Sequence, residues 1–289
     1  MDLASKIGYV RTFLVLGRAS NLPTVWSNCL AGWVLAGAGE GKRLILLCLG
    51  STFLYLGGMF LNDAFDAQFD QQHRQERPIP SGAVRASLVW KWGLSWLLLG
   101  VIVLGLFGRT TMILAILLAL TILIYDAIHK VFAFSPVLMA VCRFFLVLVA
   151  ASSASDGVVG YSIWSGLVLA GYIFGLSYVA RRESIRSRLR AWPCFFLGAP
   201  VLLALVVNQG AFQRRGFLLS SLFVIWTLVA LRQIFWSPQP NVGRTVSGLL
   251  AGIILVDFLA VGGGWPWPGA AFGGLFLLAL LFQRFIPAT

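Results

Sequence analysis

Long apolar stretches separated by short polar segments recur along the 289-residue chain. A helix that spans a membrane needs about 20 mostly apolar residues. The stretches that meet or approach this length are 20–38, 44–63, 88–107, 111–128, 134–153, 161–180, 193–209, 216–236, 246–263 and 267–285. The sequence therefore predicts an all-α fold, a polytopic membrane helical bundle. Between the last two stretches, GGGWPWPG is either a turn or a break within one element, so we expect nine or ten transmembrane helices.

The composition agrees with a chain whose solvent is lipid. Hydrophobic residues make up 59% of it and charged residues only 11%, whereas a soluble domain has about 25% charged residues. Because apolar stretches recur from end to end, we expect a single transmembrane domain over residues 1–289. The four cysteines lack the paired spacing of disulfides or zinc ligands. The presence of only two histidines argues against a His-based metal centre.

Lysine and arginine are distributed unequally between the two sides of the predicted bundle. With the N-terminus inside, 16 of the 22 basic residues fall in inner segments and 5 in outer ones, while Arg143 falls within a span. Cytoplasmic loops carry such an excess. We therefore expect an integral, multi-pass protein of the bacterial inner membrane, with its N-terminus and active site on the cytoplasmic side. The net charge of +12 then reflects this topology and contact with anionic membrane lipids, and not nucleic-acid binding.

The most informative segment is FLNDAFDAQFDQQHRQERPIPSG, residues 60–82, where the second apolar stretch ends. Asn62, Asp66 and Asp70 are spaced four apart and Asp63 precedes Asp66 by three, so a helix carries all four on one face. Carboxylates at membrane depth are costly. Mg²⁺ takes carboxylate oxygens and keeps waters or phosphates as further ligands. These four residues are the candidate metal site, and a solvated helix end is the plainer alternative.

The turn that follows, ERPIPSG, places a cation beside the carboxylates. Arg77 supplies a guanidinium, two prolines stiffen the loop and Gly82 ends it. An arginine next to a carboxylate-bound metal suggests a phosphate site, because both groups bind phosphate oxygens. Arg77 is therefore a candidate substrate-binding residue.

NDAFDAQFD followed by RPIPSG resembles the first signature of the UbiA superfamily of intramembrane prenyltransferases. Residue types, spacing and position after the second helix all agree. The resemblance implies a helical bundle that binds an isoprenoid diphosphate donor. It also implies catalytic roles for Asp63, Asp66 and Asp70, since the family's aspartates hold Mg²⁺ on that diphosphate. In the reaction of this family, the diphosphate departs and a small-molecule acceptor attacks the allylic carbon.

Two later segments bear on this resemblance, and one of them departs from it. YDAIHK matches a Tyr-to-Lys element of the family, which implies that Tyr125 and Lys130 bind the diphosphate. Near the end of the sixth span the family carries a second aspartate motif, whereas this chain reads GLSYVARRESIRSRLR. Arg181, Arg182 and Glu183 stand at the matching place as candidate substrate-binding residues. Arginines can clamp leaving phosphates as metal ions do, so we expect one Mg²⁺ assisted by arginine.

Further polar residues lie within the predicted spans. Asn21 and Asn28 are seven apart on one face of the first helix and are candidates for binding the donor or acceptor head, or for helix–helix hydrogen bonding. Arg143 lies near the inner end of the fifth helix, where it can reach the diphosphate. Asp257 lies far from the candidate metal site, and the sequence suggests no partner for it. SYVARRES and NLPTVWSNCLAGW resemble the EboC-like branch of UbiA proteins, which implies a small cyclic acceptor, cyclitol or sugar-like.

Other functions remain open from the sequence. A polyprenyl-phosphate phosphoribosyltransferase shares the first motif, and the arginines in place of the second would suit an additional phosphate. A non-catalytic binder of lipid diphosphates would account for the missing second motif. A transporter is disfavoured, because no internal repeat is evident and the charged cluster lies at one interface instead of the midplane.

Overall fold

The computed structural model describes residues 3–132, 134–181, 192–210, 213–237, 239–261 and 266–286. Every regular element in these ranges is a helix. The α-helices are α1 (Leu3–Leu16), α2 (Leu22–Leu35), α3 (Gly41–His73), α4 (Ala86–Gly105), α5 (Arg109–Ile128), α6 (Ser135–Ser152), α7 (Gly160–Ala180), α8 (Ala199–Val207), α9 (Gln213–Phe235), α10 (Val242–Val261) and α11 (Pro266–Phe285). Short 3₁₀ turns at Ala19–Asn21 and Trp192–Gly198 precede α2 and α8. The predicted all-α membrane bundle is confirmed.

Within the described ranges, eight helices are long and apolar enough to cross a membrane, so the count of nine or ten is not confirmed. The first and seventh predicted spans account for the difference. The first contains α2, which has only 14 residues. The seventh divides into a seven-residue 3₁₀ turn and the nine-residue α8, whose first turn contains Pro200. Proline lacks a backbone N–H and suits a helix start, so it favours a new helix at this point.

Two differences from the predicted boundaries concern the polar end of the bundle. The helix α1 lies ahead of the first predicted span. The helix α3 has 33 residues and ends at His73, ten residues beyond the expected end of the second span. At 1.5 Å per residue it is about 50 Å long, against a hydrocarbon core of about 30 Å. The acidic segment is therefore a continuation of a membrane helix, and the loop begins only at Arg74.

Glycines allow α3 and α4 to pack with their backbones in contact. A Cβ added at Gly57 of α3 would lie 2.8 Å from the backbone nitrogen of Leu97 and 2.9 Å from the carbonyl oxygen of Gly93. At Gly100 of α4, a Cβ would lie 2.9 Å from the backbone nitrogen of Leu54. Small residues permit such close approach where helices gain no hydrophobic energy from leaving lipid. The long helix that carries the acidic segment is thus held along its length by α4.

Residues of α5, α6, α7 and α10 line a cavity together with the polar end of α3. The helix α2 lies inside the bundle, in contact with α3, α6, α10 and α11. One hydrophobic cluster contains residues of α2, α3, α4, α5, α6, α10 and α11. A second cluster contains residues of α6, α7, α8, α9 and α10. Because α6 and α10 both pack against α2, polar side chains on these three helices can meet in the centre of the protein.

We expect Gly57→Ala to lower the melting temperature of the detergent-solubilised protein. The added methyl group meets backbone atoms of α4 that cannot rotate away, and such overpacking costs about 1–3 kcal/mol. Gly274→Ala is the matched control, since this glycine of α11 is exposed and nothing lies within 4 Å of an added Cβ. Tryptophan fluorescence during heating measures both variants. A Gly57→Ala protein as stable as the Gly274→Ala protein would contradict the tight packing of α3 on α4.

Candidate active site

The polar face of α3 is buried in spite of its charge. The exposed fractions are 4% for Asn62 and Asp63, 8% for Asp66 and 2% for Asp70. Because α3 stays helical to His73, the spacing of three and four residues points these side chains into the bundle. Buried carboxylates need cations or hydrogen-bond donors nearby. Their partners come from three other segments of the chain.

Two arginines converge on the first aspartate. Arg18 Nη2 donates to Asn62 Oδ1 at 3.0 Å and lies 3.4 Å from Asp63 Oδ1, and Arg77 Nη1 lies 3.2 Å from the same oxygen. Arg18 adopts a left-handed backbone conformation with φ 40° and ψ 50°. A residue with a side chain adopts this region at a cost of about 1–3 kcal/mol. The strained turn between α1 and α2 thus presents the guanidinium to the end of α3.

The loop between α3 and α4 brings Arg77 back to Asp63. It is closed by hydrogen bonds from the backbone nitrogen of Ser81 to Arg77 O at 3.0 Å and from that of Gly82 to Ile79 O at 3.1 Å. Gly82 has φ 78°, which glycine adopts without steric cost. Burial lowers the pKa of Arg77, the charge of Arg18 lowers it further, and Asp63 acts in the opposite direction. An arginine nevertheless stays protonated in proteins, so the loop contributes a permanent cation.

A second set of partners comes from the end of α5. Asp66 Oδ2 lies 3.1 Å from Lys130 Nζ and 3.3 Å from His129 Nε2. The ring of Tyr125 stacks on that of His129 with centroids 5.0 Å apart. Asn62 Nδ2 donates to Asp126 Oδ1 at 3.0 Å, so Asp126 meets the polar face of α3 as well. The YDAIHK segment therefore packs directly against the acidic helix.

These side chains surround a cavity of about 230 Å³ between α3, α5, α6, α7 and α10. Its lining contains most of the residues that the sequence singled out: Asn21, Asn62, Asp66, Arg77, Tyr125, Lys130, Arg143 and Arg181. Asp63 does not line the cavity but contacts Arg18 and Arg77, which do. Asp70 and Asn28 do not line the cavity either. Arg182 and Glu183 lie outside the described residues.

Sequence reasoning did not assign a site role to Arg18, His129 or Asp126. Arg18 and His129 line the cavity, and Asp126 is 3% exposed and bound to Asn62. His129 lies four residues after Tyr125, which the family resemblance selected, so helical spacing places both residues on the same face. No comparable signal marks Arg18, because its position depends on a turn conformation that is unusual for arginine.

An apolar cavity of about 80 Å³ adjoins the polar one. Both are lined by Tyr55, Met59, Tyr125, Met139 and Arg143. The further lining of the apolar cavity is mainly hydrophobic: Val25, Leu54, Leu118, Ile122, Cys142 and Leu146, with Ser51, Gly58 and Asp126. The polar cavity thus suits the charged head of a ligand and the apolar cavity suits a hydrocarbon tail, with Tyr55 and Tyr125 between them.

Arg143 belongs to a buried polar network that connects it to α2. Its Nη1 donates to Asn28 Oδ1 at 2.6 Å and its Nη2 to Thr24 Oγ1 at 3.0 Å. Asn28 Nδ2 donates to Asp257 Oδ2 at 2.7 Å, and Ser27 Oγ donates to the same oxygen. Asn28 therefore links an arginine of α6 to a carboxylate of α10. This network supplies the partner of Asp257 that the sequence did not suggest.

Unpartnered oxygens on α3 fit a divalent cation. Asp63 Oδ2 and Asp70 Oδ1 are buried without a hydrogen-bond partner. Among the described residues, no three His, Cys, Asp or Glu side chains are grouped closely enough to hold a metal. A hard cation that takes one or two carboxylates and completes its shell with phosphate oxygens or waters, as Mg²⁺ does, suits this donor set. A metal that requires a full cage of protein ligands does not.

Comparisons with known proteins agree with this geometry. The UbiA prenyltransferase family profile matches residues 22–242. A digeranylgeranylglyceryl phosphate synthase of Methanothrix thermoacetophila is 32% identical over 120 residues, which are 40% of this chain and 44% of that relative. The chain therefore spans less than half the length of this relative.

Two solved structures of UbiA homologues share the fold. The homologue from Aeropyrum pernix has a TM-score of 0.67 and 15% identity, with 85% of this chain and 97% of the other covered. The homologue from Archaeoglobus fulgidus, bound to DMAPP and Mg²⁺, has a TM-score of 0.52 and 14% identity, with 95% and 97% covered. At this low identity the likeness concerns the fold alone.

We expect Asp257→Ala to destabilise the protein by about 3 kcal/mol, because it removes the only carboxylate among the described residues of the buried network and leaves the Nδ2 donor of Asn28 without its acceptor. The melting temperature in detergent measures the loss. The double variant Asp257→Ala/Arg143→Met should be more stable than the sum of the two single losses predicts, since it removes both charges. Strictly additive losses would show that the two residues are not coupled.

Proposed function

Because this chain belongs to the UbiA prenyltransferase family, we propose that it transfers a prenyl group from an isoprenoid diphosphate to a hydroxyl-bearing acceptor within the membrane. The observation that carries the proposal is the pair of adjoining cavities. One is lined by arginine, lysine and aspartate side chains and the other mainly by hydrocarbon. Their chemistry matches a donor in which a diphosphate is joined directly to an isoprenoid chain.

The cations around the polar cavity would bind the diphosphate. Arg18, Arg77, Lys130, Arg143 and Arg181 line it. Guanidinium groups form short, charge-assisted hydrogen bonds with phosphate oxygens and remain protonated throughout. Arg181 belongs to the segment where the chain departs from the second aspartate motif. An arginine there supports the expectation that cations replace a second metal ion on the leaving group.

The carboxylates of α3 would hold Mg²⁺ against the same diphosphate. A related structure from Archaeoglobus fulgidus is bound to DMAPP and Mg²⁺. In this chain, Asp63 and Asp70 each offer an unpartnered buried oxygen, and Asn62 and Asp66 lie on the same helical face. When bound, the metal ion would neutralise charge that develops on the leaving diphosphate.

The residues at the junction of the cavities would control the reacting carbon. The bond between the allylic carbon and the diphosphate oxygen breaks, the diphosphate leaves with the electron pair, and the acceptor oxygen forms the new bond and loses its proton. Tyr55 and Tyr125 line both cavities, so their rings would face the positive charge that develops on this carbon. Aromatic faces stabilise cations. The apolar cavity would keep the chain away from water.

The acceptor belongs to the class of alcohols in this proposal. A cyclitol or sugar-like acceptor, as the EboC-like resemblance implies, attacks through a hydroxyl group. The relative named digeranylgeranylglyceryl phosphate synthase carries in its name a product with a glyceryl oxygen, which supports the same nucleophile. The excess of basic residues in inner segments supports a site on the cytoplasmic face. The bacterial inner membrane expected from the sequence stays a prediction, since the relative reported above is archaeal.

We expect Asp66→Asn to reduce diphosphate release from geranylgeranyl diphosphate by roughly 100-fold or more, because it removes a buried charge from the metal and diphosphate site. Release is measured with purified protein in nanodiscs, with a panel of cyclitol, sugar and glyceryl acceptors. Removal of Mg²⁺ with EDTA should abolish release in the unmodified protein, and added Mg²⁺ should restore it. Asp156→Asn is the matched control, since Asp156 is an exposed carboxylate in the loop between α6 and α7.

The same assay separates the alternatives. Phosphoribosyl diphosphate is supplied in parallel with a polyprenyl phosphate acceptor. Turnover of that pair, with no release from any prenyl diphosphate, would replace the proposal by the phosphoribosyl reaction. Mg²⁺-dependent binding of geranylgeranyl diphosphate without release from any acceptor pair would indicate a non-catalytic lipid-diphosphate binder.

A further inference from the structure

A second polar cavity, of about 490 Å³, borders arginines that also line the polar cavity proposed to hold the diphosphate. We call the second one the outer cavity and the first one the donor cavity. It is formed by the end of α1 and by the loop between α3 and α4. Its lining residues with charged side chains are Arg11, Arg18, Arg74, Glu76 and Arg77. Four cations thus face one carboxylate across an open space. The proposed donor occupies the donor cavity and the apolar cavity, so the outer cavity has no role in donor binding.

From this arrangement we infer that the cavity binds the phosphate group of a phosphorylated alcohol, and that this alcohol is the acceptor of the reaction. The inference rests on the proposed prenyl transfer and specifies its second substrate. The groups it requires are the guanidinium of Arg11 and the three arginines that the two cavities share.

The concentration of cations is the first argument for an anionic ligand. Arg18 and Arg74 lie close enough to Arg77 for their charges to act on it. Like charges held together repel, and an anion between them removes that repulsion. Arg18 and Arg77 already contact Asp63 on the inner side. Arg11 lines the outer cavity and not the donor cavity, and among the described residues it forms no ion pair.

The shared wall is the second argument, because it connects the cavity to the reaction. Arg18, Arg74 and Arg77 line both the outer cavity and the donor cavity. In a phosphorylated polyol or glyceryl ether, only a few bonds separate the phosphate from a free hydroxyl group. A phosphate held on the outer side of the wall therefore leaves the hydroxyl within reach of the donor on the inner side. A free phosphate ion would use only a small part of a 490 Å³ cavity.

The site is tested by binding without donor, so that the result does not depend on turnover. The probes are two matched pairs: geranylgeranylglyceryl phosphate with geranylgeranylglycerol, and inositol 1-phosphate with inositol. Full-length protein in phosphatidylcholine nanodiscs, which offer no anionic headgroup, is compared with Arg11→Gln. Arg85→Gln is the control, because Arg85 is an exposed arginine just beyond the same loop that does not line the cavity.

We expect one phosphorylated probe to bind the unmodified protein roughly tenfold more tightly than its phosphate-free partner, as a charge-assisted contact contributes. Arg11→Gln should reduce this preference by about three- to tenfold, and Arg85→Gln should leave it unchanged. In turnover assays, Arg11→Gln should raise the KM of the phosphorylated acceptor and leave the KM of the prenyl diphosphate unaltered.

Three outcomes would overturn the inference. The phosphorylated and phosphate-free probes bind the unmodified protein equally, or Arg11→Gln leaves the preference intact. Alternatively, Arg11→Gln slows diphosphate release equally with both members of a pair, which would make the cavity an exit path for diphosphate. A preference that disappears only when phosphatidylglycerol replaces part of the phosphatidylcholine shows competition by a lipid headgroup for the same site and supports it. Failure of prenyl transfer itself would appear instead as diphosphate release that does not depend on Asp66 or Mg²⁺, whereas the binding comparison is made without donor.

Discussion

The burial of Asp63 between two arginines is the interaction on which the polar end of the protein depends. Its Oδ1 atom forms ion pairs with Arg18, in the turn before α2, and with Arg77, in the loop after α3. A carboxylate with an exposed fraction of 4% could not remain charged at this depth without them. The contact fixes three chain segments at one point, and each arginine faces a cavity on either side. The proposed donor site and the basic outer cavity are therefore two consequences of one ion cluster.

The sequence predicts the part of the structure that depends on local pattern. Apolar length predicts the eight long helices, and the spacing of Asn62, Asp63, Asp66 and Asp70 predicts that they share a face. The length of α2 and the division of the seventh span were not predicted, because hydropathy does not register whether an apolar segment faces lipid or is enclosed by other helices. The extension of α3 to His73 was missed for the converse reason, since a polar segment can remain helical when its side chains find partners inside the bundle.

Contacts between distant segments account for the rest of what the sequence could not supply. Asp257 is 229 residues away from Asn28 in the chain, and nothing in either local pattern indicates the pairing. Arg18 reaches Asn62 through a backbone conformation that arginine rarely adopts. Among the candidates that the sequence did select, Asn28 lies behind Arg143 rather than in the cavity. Its type and spacing were compatible with a substrate contact and with a helix–helix hydrogen bond, and only the packing of α2 against α6 and α10 distinguishes the two.

The network around Asp257 also bears on the order in which the bundle assembles. Ser27 and Asn28 belong to α2, a 14-residue helix near the start of the chain, and the carboxylate that they contact lies on α10. Arg143, in the middle of the chain, contacts Asn28. During synthesis α2 therefore reaches the bilayer before the carboxylate that accepts from the Asn28 amide and the Ser27 hydroxyl. These two donors of α2 reach their carboxylate only when α10 arrives. We therefore expect the bundle to close around the polar cavity late in biogenesis, and a chain interrupted before α10 would leave these donors of α2 without their carboxylate.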